Sequence, residues 1–258
     1  MIEGIAPLPG VRLAYWDTGG NGATIMLLHA ASGSKDVWEY QRQALGDAGY
    51  RVVAYSRRGY LGSERGPADA PGTGSGDLLA LLDHLAIGTC HLVATAGGAV
   101  VAADFALSHP ARLRSLTLAC TFLGVEDAEF TALGARLRPP GFATMPIDFQ
   151  ELGPSYRAAN AEGVARWLEL EHRAHPGGRL RQATANRITW DALGGLFVPT
   201  LIVSGDADLW SPPPVQRLFL RHLPQAEGVV IPECGHSAYW EQPDAFNAAL
   251  LGFLSRQQ

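Results

Sequence analysis

Short runs of aliphatic and β-branched residues recur along this chain with helix-patterned segments between them, and this alternation constrains the fold more than any other feature. The runs fall at residues 11–16, 24–29, 51–55, 90–94, 115–119, 200–204 and 228–231. Segments at 35–48, 76–85, 97–108, 213–221 and 243–254 carry the helical pattern between or after them. Strand and helix in alternation predict an α/β fold with a mostly parallel central sheet and helices on both faces. At 258 residues and 47% hydrophobic content, the chain can build one large core with room for an inserted subdomain.

The rhythm breaks between residues 121 and 195. That stretch holds helical segments, the best at 158–172, and the breakers Pro139, Pro140, Gly141, Pro146, Pro154 and Pro176-Gly177-Gly178, with no convincing strand. It is too long for an ordinary connection. The expected organisation is a core of residues 1–120 and 196–258 carrying an inserted helical cap at 121–195.

The formal net charge of −5, with no basic run, gives no footprint for nucleic acid or an anionic membrane. Three widely spaced cysteines, Cys90, Cys120 and Cys234, suit neither a disulfide framework nor a zinc site. There is no dinucleotide-type glycine fingerprint and no histidine spacing suited to a metal, so neither cofactor nor metal is expected. Without a secretory pattern or a long apolar segment, a cytoplasmic protein is expected, with a small molecule as its partner and a homodimer conceivable.

In open α/β sheets, ligands bind beyond the carboxyl ends of the strands, so the residues that follow each strand deserve closest reading. Here they are His29-Ala30-Ala31-Ser32-Gly33-Ser34, Ser56-Arg57-Arg58-Gly59-Tyr60-Leu61-Gly62-Ser63, Ala94-Thr95-Ala96-Gly97-Gly98, Gly205-Asp206-Ala207-Asp208, and Gly235-His236 followed by Glu241 and Pro243.

In order and spacing these five junctions resemble the α/β-hydrolase superfamily, of the serine-hydrolase type with a helical cap, over nearly the whole chain. The resemblance implies a Gly-x-Ser-x-Gly elbow whose serine is the nucleophile. Ala94 and Gly98 keep the small flanks of that elbow, but Ala96 stands at the nucleophile position. The resemblance further implies His236 as base, Asp208 rather than Asp206 as its orienting acid, and an oxyanion hole from the backbone N–H groups of Ala31 and Gly97. Two departures accompany Ala96: Ala30 follows His29 where glycine is usual, and Ser56 stands where the family most often has aspartate. His29 is expected to be structural.

Trp38, Trp167 and Trp190 are candidate substrate-binding residues, because the predicted cap and its surroundings carry more aromatic area than a small core needs, and Ser32, in the turn after His29, and Cys120, at the end of a strand, join them. The implied substrate is a small carbonyl compound such as an ester, a lactone or a β-diketone cleaved at carbon. Ala96 leaves three readings open: a serine hydrolase whose serine was changed to alanine, an enzyme with a native alanine that uses the His236–Asp208 dyad as general base, with lyase or cofactor-independent oxygenase chemistry also open to it, and a non-catalytic small-molecule binding protein or receptor.

Overall fold

The computed structural model describes residues 1–257. Eight strands form one sheet: β1 (Ile2–Leu8), β2 (Val11–Asp17), β3 (Thr24–Leu28), β4 (Arg51–Tyr55), β5 (Cys90–Thr95), β6 (Leu113–Ala119), β7 (Thr200–Gly205) and β8 (Ala226–Ile231). Their spatial order is β1-β2-β4-β3-β5-β6-β7-β8. The β1–β2 and β2–β4 pairs are antiparallel, and every later pair is parallel. β3, β5 and β7 are buried along their whole length, which is why they read as unbroken apolar runs. The edge strands β1 and β8 are largely exposed.

Helices α1 (Glu39–Asp47), α2 (Gly74–His84) and α3 (Gly97–Ser108) cross between the early strands, and α4 (Ala128–Leu137), α5 (Ile147–Glu151), α6 (Pro154–Ala159), α7 (Ala161–Ala174) and α8 (Trp190–Gly194) lie between β6 and β7. The side chains of Asp127, Asn160 and Thr189 accept backbone N–H bonds that start α4, α7 and α8. Helices α9 (Pro213–His222), α10 (Ala238–Glu241) and α11 (Pro243–Leu254) complete the chain. No helix among the described residues is long and apolar enough to cross a membrane.

Two apolar clusters lie on opposite faces of the sheet. One gathers Leu78, Leu81, Phe105, Val215 and Phe219 from α2, α3 and α9. The other joins Trp38, Leu45, Phe246 and Leu250 with Tyr156 and Trp167 from α6 and α7. The helices between β6 and β7 therefore share the sheet's core, and Trp167, 2% exposed, is spent on that packing.

The turn from β5 into α3 depends on close backbone approach. A methyl group added at Gly98 would lie 2.6 Å from the carbonyl oxygens of both Leu28 and His29. These are backbone atoms of a central strand and cannot rotate away. Gly98→Ala is expected to destabilise the fold by roughly 1–3 kcal/mol, read as a lower denaturant midpoint at unchanged slope. An unchanged midpoint would refute the close approach.

Candidate active site

Ala96 sits between β5 and α3 at φ 48, ψ −117, a region that non-glycine residues avoid. Such strain costs on the order of 1–3 kcal/mol and persists only where the surroundings enforce it. They do so here: Ala96 N–H donates to Ala119 O at 2.9 Å, and Ala96 O accepts Thr121 Oγ1 at 3.0 Å and Ala99 N–H at 3.1 Å. Cys120 (φ 45) and Leu123 (φ 52) are likewise strained, at the exit of the neighbouring strand β6. The turn is held rigidly in this geometry, and the side chain it carries at 96 is a methyl group.

Beside it, a Cβ built on Gly97 would lie 3.3 Å from Ala31 N, so the turn at Ala31 packs against the first residue of α3. Neither the Ala31 nor the Gly97 N–H finds an acceptor among the described residues. Gly97 opens its helix, where N–H groups have no intrahelical partner, and Ala31 lies in a turn. Below them, the buried His29 donates from Nδ1 to Ala30 O (2.7 Å) and accepts Arg57 N–H at Nε2 (3.0 Å). Burial, then the Arg57 charge, hold its pKa well below the ordinary value, so this ring is neutral and braces the turn.

The loops after β7 and β8 meet with little space between them. A Cβ at Gly205 would fall within 2.3 Å of the carbonyl oxygens of both Cys234 and Gly235, and Ala207 N–H donates to Cys234 O at 2.9 Å. Asp206 accepts Cys234 N–H at 3.2 Å and is occupied in holding the two loops together. Asp208 reaches the imidazole instead: His236 Nδ1 lies 2.9 Å from Oδ2 and 3.0 Å from Oδ1. Trp210 N–H, Ser211 N–H and Ser211 Oγ also donate to the Asp208 carboxylate, at 2.7, 3.0 and 2.8 Å. Since an ionised carboxylate only accepts, Nδ1 carries the proton and Nε2 is left as the basic nitrogen, with no partner among the described residues.

Both members of the pair are buried, and burial opposes charge on each. For Asp208, the His236 charge and hydrogen bond together with the Ser211 donors outweigh it and hold the carboxyl below its ordinary value. For His236, the charge and hydrogen bond of Asp208, with Glu151 and Glu241 behind them, outweigh it and raise the pKa above the ordinary 6.5. Glu241 accepts the N–H groups of Gly153, Gly235 and Ser237 at 2.7, 2.9 and 3.1 Å, so one carboxylate fixes the residues on both sides of the histidine.

Glu151 is a site residue that the sequence pattern did not single out. Its carbonyl accepts His236 N–H at 2.9 Å, and its carboxylate lies 3.4 Å from Ser32 Oγ. It thus bridges the loop of the histidine and the turn of the free N–H groups. Burial raises its pKa, partly offset by the His236 charge. Only burial against that loop reveals its place. In the sequence it is one glutamate among many in a helical stretch.

A cavity of about 880 Å³ opens over Ala31 and Gly97. Of the expected site residues only Ala31 and Gly97 line it; Ser32, Trp38, Ala96, Cys120, Trp167, Trp190, Asp208 and His236 do not. Trp38 packs on Tyr239, Cys120 is fully buried with Sγ 3.9 Å from Gly235 O, and Trp190 packs on Phe130, Phe219 and His222. Ser32, beside the turn, is turned toward Glu151.

Residues 25–249 match the model of the Alpha/beta hydrolase family. A 2-hydroxy-6-oxononadienedioate/2-hydroxy-6-oxononatrienedioate hydrolase of Burkholderia vietnamiensis is 27% identical, with 95% of this chain and 92% of the relative aligned. The malate-bound thermophilic esterase of Thermogutta terrifontis superposes with a TM-score of 0.84 at 28% identity, covering 100% of this chain and 99% of the other. The enol-lactonase of Burkholderia xenovorans LB400 shares the fold at a TM-score of 0.78 and 23% identity, covering 98% of this chain and all of the other. This chain belongs to the α/β-hydrolase family and is a hydrolase of that fold.

Proposed function

We propose that the protein acts on a small carbonyl compound, an ester, a lactone or a β-diketone, by general-base catalysis without a covalent intermediate. One observation carries this reading. Two unpartnered N–H groups stand beside a residue that has no atom to acylate, and Glu151 ties their turn to the loop of a histidine with a free Nε2 oriented by a buried aspartate.

In the step these groups support, the N–H groups of Ala31 and Gly97 bind the carbonyl oxygen. His236 Nε2 takes a proton from water as the water oxygen bonds to the carbonyl carbon, and the carbonyl electron pair moves onto the oxygen held by the two donors. Collapse re-forms C=O and expels the leaving group, which receives the proton from His236. Asp208 stabilises the imidazolium between these events. The helices between β6 and β7 are read as a cap over this site. The relatives named as an esterase and as a hydrolase of an oxo-acid are consistent with such substrates.

Covalent and direct attack differ in what the protein carries during turnover. With p-nitrophenyl acetate and a small γ-lactone in excess, hydrolysis is expected above the buffer rate, with no initial burst and no acyl group on the protein by mass spectrometry. An acylated protein, or no hydrolysis of any tested carbonyl compound, would overturn the reading.

A further inference from the structure

The charges around the cavity over Ala31 and Gly97 do not cancel. Four arginines line it, and Arg58 is consumed by a two-bond ion pair with Asp77, each bond 2.7 Å. The lining acid Glu126 is paired with Arg187 at 2.7 Å. The other lining acid, Asp104, is saturated by donors from Ser75, Ala185 and Asn186. Arg57, Arg179 and Arg181 remain. Arg181 has no ion-pair partner among the described residues, and Arg179 has a 3.8 Å approach to Glu171 and a 3.4 Å contact from its Nε to His175 Nε2.

Arg57 stands nearest the chemistry. One Nη2 donates to His29 O (3.3 Å) and Ala30 O (3.2 Å), tying the guanidinium to the turn that presents Ala31. Its plane lies over Tyr60, 4.7 Å from the ring centroid. No carboxylate pairs with it, and its buried Nε has no partner. With Nε buried and Nη2 held by two carbonyls, Nη1 is the donor of this half-buried guanidinium left without a protein partner, and a guanidinium with no counter-charge suits a single charge-assisted bond to an anion.

We infer that the substrate is an acidic carbonyl compound, whose carboxylate is held by Arg57 while its reacting carbonyl sits at the N–H groups of Ala31 and Gly97, with Arg179 and Arg181 drawing the anion into the cavity. This rests on the reading of those two N–H groups as a carbonyl site. It adds the charge of the substrate, which the dyad does not specify.

The test uses 4-oxopentanoate and its neutral primary amide, 4-oxopentanamide, titrated calorimetrically into the native protein at low salt. The acid is expected to bind about tenfold or more tightly than the amide, as for one charge-assisted hydrogen-bonded contact, and added salt should erode that preference. R57Q is expected to abolish most of the preference, the acid losing about tenfold in affinity and the amide much less. R181Q, at an exposed side chain, should reduce it a few-fold. If circular dichroism shows R57Q to be unfolded, R181Q and R179Q decide the matter, since both side chains lie at the surface.

Equal affinity for the two ketones overturns the proposal. So does a preference that survives these substitutions, or binding of neither compound. Hydrolysis of neutral esters with no preference for the acid would overturn this inference alone. An arginine-dependent preference in a protein that hydrolyses nothing would overturn the catalytic reading alone.

Discussion

Serine introduced at position 96 is expected to convert the protein into a burst-phase esterase, with turnover of p-nitrophenyl acetate raised about 10³-fold or more over the native chain. The backbone at 96 already holds the strained φ 48, ψ −117 geometry that projects a side chain from the turn, so no reorganisation precedes the gain. An acceptor for the hydroxyl proton is available, because His236 Nε2 is unpartnered and its tautomer is fixed by Asp208. The two N–H donors of Ala31 and Gly97 are backbone atoms and do not depend on the residue at 96. Residues of a triad act as a unit, so one missing member costs nearly as much as all of them, and restoring it returns most of the loss. The measurement is a stopped-flow burst equal to the enzyme concentration, with an acylated Ala96→Ser protein in the mass spectrum. A folded variant with no burst and less than about a tenfold gain would show that the elbow no longer serves a serine, leaving direct attack by water as this site's own chemistry.

The turn at 94–98 and the His236–Asp208 contact were legible because each is set by local backbone requirements. Small residues at 94 and 98 mark a turn where strand and helix nearly touch, and a glycine before His236 marks a loop that must pass close to another. Asp206 and Asp208 could be ranked by spacing, and the fold gives the physical ground: Asp206 bonds the backbone of Cys234 while Asp208 reaches the imidazole. What tertiary contact alone decides was not legible. Strand β1 went unread, because its polar, half-exposed face and its Gly and Pro weaken the pattern of an edge strand. Glu151 and the engagement of each arginine depend on partners far away in sequence, such as Ser32 with Glu151 and Arg58 with Asp77. The tryptophans look alike as sequence. In the fold, Trp38 and Trp167 fill the core on one face of the sheet and Trp190 packs on the other.

Removing the base should have the opposite effect to restoring the nucleophile. In the native chain, His236→Gln is expected to lower turnover by about 10²–10⁴-fold, the usual share of a positioned base, with little change in KM, since the carbonyl donors are untouched. Asp208→Asn should lose a comparable factor and also move the pH profile. The base works only when neutral, so native activity should rise with pH and level off above a midpoint higher than the ordinary histidine value of 6.5, because Asp208, with Glu151 and Glu241, favours the cation. Without the aspartate charge, burial dominates and that midpoint should fall. Stability follows the same linkage. The raised histidine contributes stability that is full below 6.5 and lost as pH rises through its folded value. The depressed aspartate contributes stability that is present above 3.8 and lost as pH falls through its folded value. The pair therefore stabilises the fold most between those two pH values, and Asp208→Asn should flatten the dependence at both ends. A native pH–rate midpoint below 6.5, or an Asp208→Asn profile that keeps the native midpoint, would mean that the charge on Asp208 does not govern the base.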